Sequence, residues 1–112
     1  MPPTVELLFW AGCPSHPRAL SELRAAMDEL GLDPGSIGLR EMVTDEDAAS
    51  TGFTGSPTIL VDGRDVVDAG VDPVLLACRV YRLRDGRSSP VPDPEDLRDA
   101  LSAALTRGEP NR

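Results

Sequence analysis

The run VELLFW, Val5 to Trp10, constrains this chain more than any other feature. Only Glu6 in it is polar, so as a strand it has no face to offer to water and must be covered on both sides. It is expected to be the first and central strand of a sheet. Directly after it, AGCPSHP carries Cys13 and His16, and then Leu20, Leu23, Met27 and Leu30 recur at helical spacing. Arg18, Glu22, Arg24, Asp28 and Glu29 take the opposite face of that helix. Pro14 or Pro17 falls in its first turn, where a missing backbone donor costs least, and Gly31 closes it. Cys13 is therefore expected at or just before a helix N-terminus.

Ile37 to Val43 reads as a second strand with Gly38 as its weak point. Thr44 followed by Asp45, Glu46 and Asp47 is a helix start, with a capping hydroxyl and three carboxylates against the dipole; Gly52 ends that short helix. SPTILVDGRDVV reads as a hairpin: Thr58 to Val61, a turn at Asp62 and Gly63, and Arg64 to Val67 returning. In the last helix Asp93 caps, Pro94 takes the first position, and Leu97, Ala100, Leu101, Ala104 and Leu105 make one apolar stripe. Between hairpin and last helix, residues 68–92 form an insertion containing VLLACRVYRLRDG, where a short apolar element around Cys78 is expected to turn at Asp85 and Gly86. The tail RGEPNR is expected to fray. No repeat and no linker divides the chain, so residues 1–112 read as a single domain with its core within about 5–105.

At 112 residues the chain can bury one core. Its net charge of -8 repels nucleic acid phosphates and anionic membrane surfaces, which argues against nucleic acid and membrane partners. No stretch approaches a membrane span, and MPPTVELLFWAGCP lacks the basic start and cleavage site of a signal peptide, so a cytoplasmic protein is expected. Every basic residue is Arg, a bias that reads as that of a GC-rich bacterial genome. Two cysteines are too few for a secreted disulfide scaffold. The acidic groups at Asp45 to Asp47 and Asp93 to Asp96 read as helix starts rather than catalytic carboxylate pairs, and neither GSIG nor GFTGSP has the spacing and lysine of a phosphate loop.

The element order, the Cys13-Pro14 pair between first strand and first helix, and GSPT before the third strand together resemble small bacterial thioredoxin-like proteins, over roughly Val5 to Leu105. The resemblance implies an α/β, thioredoxin-like fold: a four-stranded mixed sheet with flanking helices and an insertion before the last helix. It implies Cys13 as the nucleophile of a thiol–disulfide oxidoreductase, and a cis bond between Ser56 and Pro57 that leaves a backbone edge open to an extended peptide or thiol adduct. A departure stands beside it, because where dithiol members read C-x-x-C this chain reads CPSH, with His16 in place of the resolving cysteine.

A helix N-terminus lowers a cysteine pKa, and His16, three residues on, is expected to add an imidazolium to the Cys13 thiolate. In this topology the third strand starts, and the fourth ends, beside Cys13. The insertion therefore begins there, and Cys78 and Tyr81 are expected to close over Cys13, with Cys78 near enough for a disulfide. The catalytic candidates are thus Cys13, His16 and Cys78, and the substrate-binding ones Ser56, Pro57 and Tyr81, acting on protein or small-molecule thiols and disulfides with no cofactor and no metal. Trp10 reads as packing. Two alternatives stand beside this reading. Cys13, His16 and Cys78 would suit zinc, copper(I), mercury(II) or an organomercurial, and a redox-silent domain would only dock a partner.

Overall fold

A computed structural model describes residues 3–67 and 76–108. The start of the expected insertion, 68–75, and the end of the tail, 109–112, lie outside the described residues. Along the chain come β1 (Val5–Phe9), α1 (His16–Glu29), a 3-10 turn (Pro34–Ser36), β2 (Gly38–Glu41) and α2 (Asp45–Thr51). After these follow β3 (Thr58–Val61), β4 (Arg64–Asp65), β5 (Tyr81–Arg82), β6 (Ser88–Ser89) and α3 (Pro94–Gly108). The molecule is mixed α/β: a four-stranded mixed sheet in the order β2-β1-β3-β4, three helices, and a separate β5-β6 ribbon. The β1-β2 pair is parallel, and the β1-β3 and β3-β4 pairs are antiparallel.

The unbroken apolar character of β1 follows from its place inside the sheet. Side chains alternate across a strand, so Val5 and Leu7 point one way and join Ile59 and Val61 of β3 beneath Leu23 and Met27 of α1 and Leu97 and Leu101 of α3. Leu8 points the other way and joins Met42, Phe53 and Ala48 of α2. Truncating one of these buried leucines to alanine costs about 2–5 kcal/mol. β2 is shorter than the expected 37–43 because it lies at the sheet edge. Its residues are all exposed, and Met42 reaches the core only after the strand has ended.

Local signals carry the turns. Asp62 and Gly63 both have positive φ, 52° and 79°, the conformation a two-residue hairpin needs to match strand twist. The Thr44 hydroxyl accepts the Asp47 N–H at 3.1 Å, while the Asp47 carboxylate accepts from the Val43 and Thr44 N–H groups. Those two backbone donors, Val43 first, hold the Asp47 carboxyl below its usual range. Gly31, at φ 73°, follows the end of α1, and Asp93 accepts the Glu95 N–H at the start of α3. The 76–92 segment folds into the β5-β6 ribbon, turning at Asp85 and Gly86 as expected. Arg84 ties this ribbon to α3 through Glu95, Asp96 and Asp99. No helix among the described residues is long and apolar enough to cross a membrane.

Candidate functional site

The loop leaving β1 turns back at once, the Cys13 N–H donating to the Trp10 carbonyl at 3.0 Å. Gly12 permits this turn, since a Cβ there would come within 2.4 Å of the Trp10 ring. Ser15 precedes the first residue of α1, so Cys13 lies just outside the helix and its sulfur faces the helix start. Cys13 is fully buried, at 0% exposure. As a thiol its Sγ lies 3.5 Å from the Ser56 carbonyl oxygen and 3.6 Å from the Ser15 hydroxyl.

Ser56 connects the two cysteines. The bond between Ser56 and Pro57 is cis, and the backbone of Ser56 makes a parallel bridge with Cys78. The Ser56 N–H donates to the Ala77 carbonyl at 2.7 Å, and the Arg79 N–H donates to the Ser56 carbonyl at 2.8 Å. This corrects the expectation of an open edge for an incoming peptide: the chain's own 77–79 segment fills it, because its free donor and acceptor match those of Ser56. The same bridge brings Cys78 to the residue whose carbonyl oxygen lies 3.5 Å from the Cys13 sulfur. Both cysteines are free thiols, Cys13 buried and Cys78 exposed.

The pairing splits their acidities. Burial alone would push Cys13 up, but it is outweighed by the Cys78 thiol, by the N–H and hydroxyl of Ser15 and by the Ser56 hydroxyl, so Cys13 lies below the ordinary thiol range. Donating to Cys13 pushes Cys78 up, and burial and the neighbouring negative charge add to this. The Ser56 Oγ is buried without a conventional hydrogen-bond partner, yet it is near enough to the sulfur to favour the ionised form.

Arg79, which nothing in the sequence marks out, anchors the Cys78 segment. Its guanidinium is buried and donates to Asp65 of β4 at 2.6 Å and to the Val67 carbonyl at 2.8 Å, and it stacks 4.4 Å from the centre of the Tyr81 ring. Gly55, at φ 137°, makes room for this, because a Cβ there would lie 2.7 Å from the Arg79 Cβ. Tyr81 is buried, its hydroxyl donates to the Pro57 carbonyl, and burial pushes its pKa above the ordinary phenol range.

His16 also departs from expectation. Its Nδ1 lies 3.3 Å from the Cys13 carbonyl oxygen, and its ring stacks on Phe9 at 4.3 Å. The Cys13 thiol instead donates to the Ser56 carbonyl and the Ser15 hydroxyl. Residues three apart share a face only inside a helix, and α1 starts at His16, so Cys13 lies outside it. Among the described residues no group of three His, Cys, Asp or Glu side chains could hold a metal, so the Cys13–His16–Cys78 ligand set is not assembled. The site is thus a buried low-pKa thiol beside an exposed thiol, with a groove of about 410 Å³ opening on the exposed one. No family model, curated protein or solved structure matches the chain.

Proposed function

We propose that the protein is a thiol–disulfide oxidoreductase of thioredoxin-like fold in which Cys13 and Cys78 form a two-electron redox couple. One observation carries this reading: Ser56 is bridged backbone to backbone with Cys78 and its carbonyl oxygen lies 3.5 Å from the Cys13 sulfur, so one residue brings the two cysteines together, with the acidity of Cys13 shifted down and that of Cys78 up. A thiolate is the reactive species in disulfide exchange, and the thiol of lower pKa is the better leaving group. Structural cysteines in a core gain nothing from such a split. The thioredoxin-like reading is supported by the sheet order, by a cysteine between β1 and α1, and by the cis Ser56–Pro57 bond just before β3.

In the reaction a substrate disulfide accepts two electrons from the two thiols. Its S–S bond breaks, one S–S bond forms between Cys13 and Cys78, and the two protons end on the released thiols. The reverse reaction oxidises two substrate thiols. Protein or small-molecule thiols and disulfides are the partners this chemistry requires, and a reducing cytoplasm would hold the pair as dithiol between turnovers.

Equilibration in thiol–disulfide buffers of graded potential, followed by acid quench and mass measurement, tests the couple. The monomer should lose two hydrogens in one two-electron transition, with Cys13 linked to Cys78 in the peptide map. Free thiols at every potential, or links only between molecules, would remove the proposal.

A further inference from the structure

The two sulfurs of this couple differ in access, and this decides which of them meets a substrate. Cys13 is wholly buried, behind Ser15, Ser56 and Cys78. Cys78 is exposed and forms part of the wall of the groove, together with Pro14, Val80, Ser89 and Pro90, and Cys13 is not among the lining residues. Val80, 74% exposed at the groove wall, leaves that approach open. Exchange needs the attacking sulfur in line with the bond it breaks, and among the described residues Cys78 is the exposed cysteine while Cys13 is buried.

We propose that the mixed disulfide with external thiols forms on Cys78, and that Cys13 acts from inside as the leaving and resolving thiolate. This rests on the thiol–disulfide reading above and reverses the order of attack that the sequence leads one to expect. In the oxidised protein an external thiolate attacks the Cys78 sulfur. The Cys13–Cys78 bond breaks, a bond between the external sulfur and Cys78 forms, and the electron pair leaves on Cys13. A second external thiolate then attacks the external sulfur of that adduct. An external disulfide is released, and Cys78 leaves as a thiolate that takes a proton from water. Two thiols have been oxidised and one protein disulfide reduced. Ser15, Ser56 and the recovered Cys78 thiol receive the Cys13 charge, so the better leaving group is the one that departs. In the opposite direction Cys78 is thiolated first and Cys13 resolves it.

The test traps the adduct in the wild-type protein. Oxidised protein is mixed briefly with cysteamine, quenched in acid, alkylated and mapped. Cysteamine should be found on Cys78 and the alkyl group on Cys13. The single-cysteine variants C13S and C78S, each treated with cystamine, give a second reading that does not depend on catching a transient species. Compared per thiolate across a pH series, C13S should form its adduct at least about tenfold faster than C78S, because burial withholds Cys13 from the reagent. An adduct on Cys13 in the wild-type trap, or equal rates in the two variants, would overturn the assignment while leaving the redox couple intact. Failure of the wild-type protein to form the internal disulfide at all would remove both.

Discussion

Ser56 spends its two backbone groups on the Cys78 segment, while its buried hydroxyl has no hydrogen-bond partner and lowers the Cys13 pKa. Replacing it by alanine should therefore separate two effects. The Cys13 titration should move up, because a donor to the thiolate is gone, and alkylation rates across a pH series would show this. Stability should change by less than about 1 kcal/mol, because no partnered hydrogen bond is lost. An unmoved titration would mean that the hydroxyl plays no part. His16→Leu should do the opposite: Cys13 alkylation keeps its pH profile, while loss of the stack on Phe9 costs about 1 kcal/mol. A His16→Leu profile shifted to higher pH would restore the imidazole to the thiolate. Spacing alone could not distinguish these roles, since residues three apart share a face only inside a helix, and the first residue of α1 is His16 itself.

Among the elements, those with local punctuation were legible and those made by distant partners were not. The β3-β4 hairpin, the capping box of α2 and the start of α3 each depend on residues within a few positions of one another, and all could be read from the residues themselves. The expectation that Cys78 lies near Cys13 rests instead on the direction in which β3 and β4 run, which came from the thioredoxin-like resemblance and not from residues around Cys78. Arg79, Asp65 and Gly55 gave no signal, because an arginine in CRVYR reads as surface until its partner on β4 is known. Asp65→Asn should leave the buried guanidinium without its counter-charge and lower stability by about 3–5 kcal/mol in denaturant unfolding. Gly55→Ala is more diagnostic of the site. The added methyl meets the Arg79 backbone and Cβ at 3.0 and 2.7 Å in a strained conformation, which should cost about 1–3 kcal/mol. It should also push the 77–79 segment off Ser56. Cys13 would then titrate higher and form its internal disulfide more slowly although neither cysteine has changed. A Gly55→Ala protein with a normal Cys13 profile would show that the bridge does not hold the pair.

For the whole molecule, the proposed couple would link redox state to folding. A bond between positions 13 and 78 closes a loop of about 65 residues, and a loop of that length restricts the unfolded chain enough to stabilise the oxidised protein by about 4 kcal/mol, before any native strain. The reduced protein recovers part of this through Cys13. Its pKa is lowered on folding, so its contribution is fully present above the unfolded thiol pKa, about 8.5, and is lost as pH falls through the folded value. Cys78 has the opposite sign: its pKa is raised, so the stability it contributes is present below about 8.5 and is lost as pH rises through its folded value. The stability gap between oxidised and reduced protein should therefore be wide in acid, narrow as pH rises towards about 8.5, and widen again from about 8.5 up to the Cys78 titration. Carboxylates held below their usual range, such as Asp47 and Asp93, titrate in both redox states and cancel from the difference. Urea unfolding of the oxidised protein and of its reduced form, in parallel across pH, measures the gap directly. In C13S under reducing conditions the rise in stability between neutral pH and 8.5 should disappear. A gap that does not change with pH would mean that the Cys13 thiolate is not stabilised by the fold, and with it would go the physical reason for Cys13 to be the thiolate that leaves.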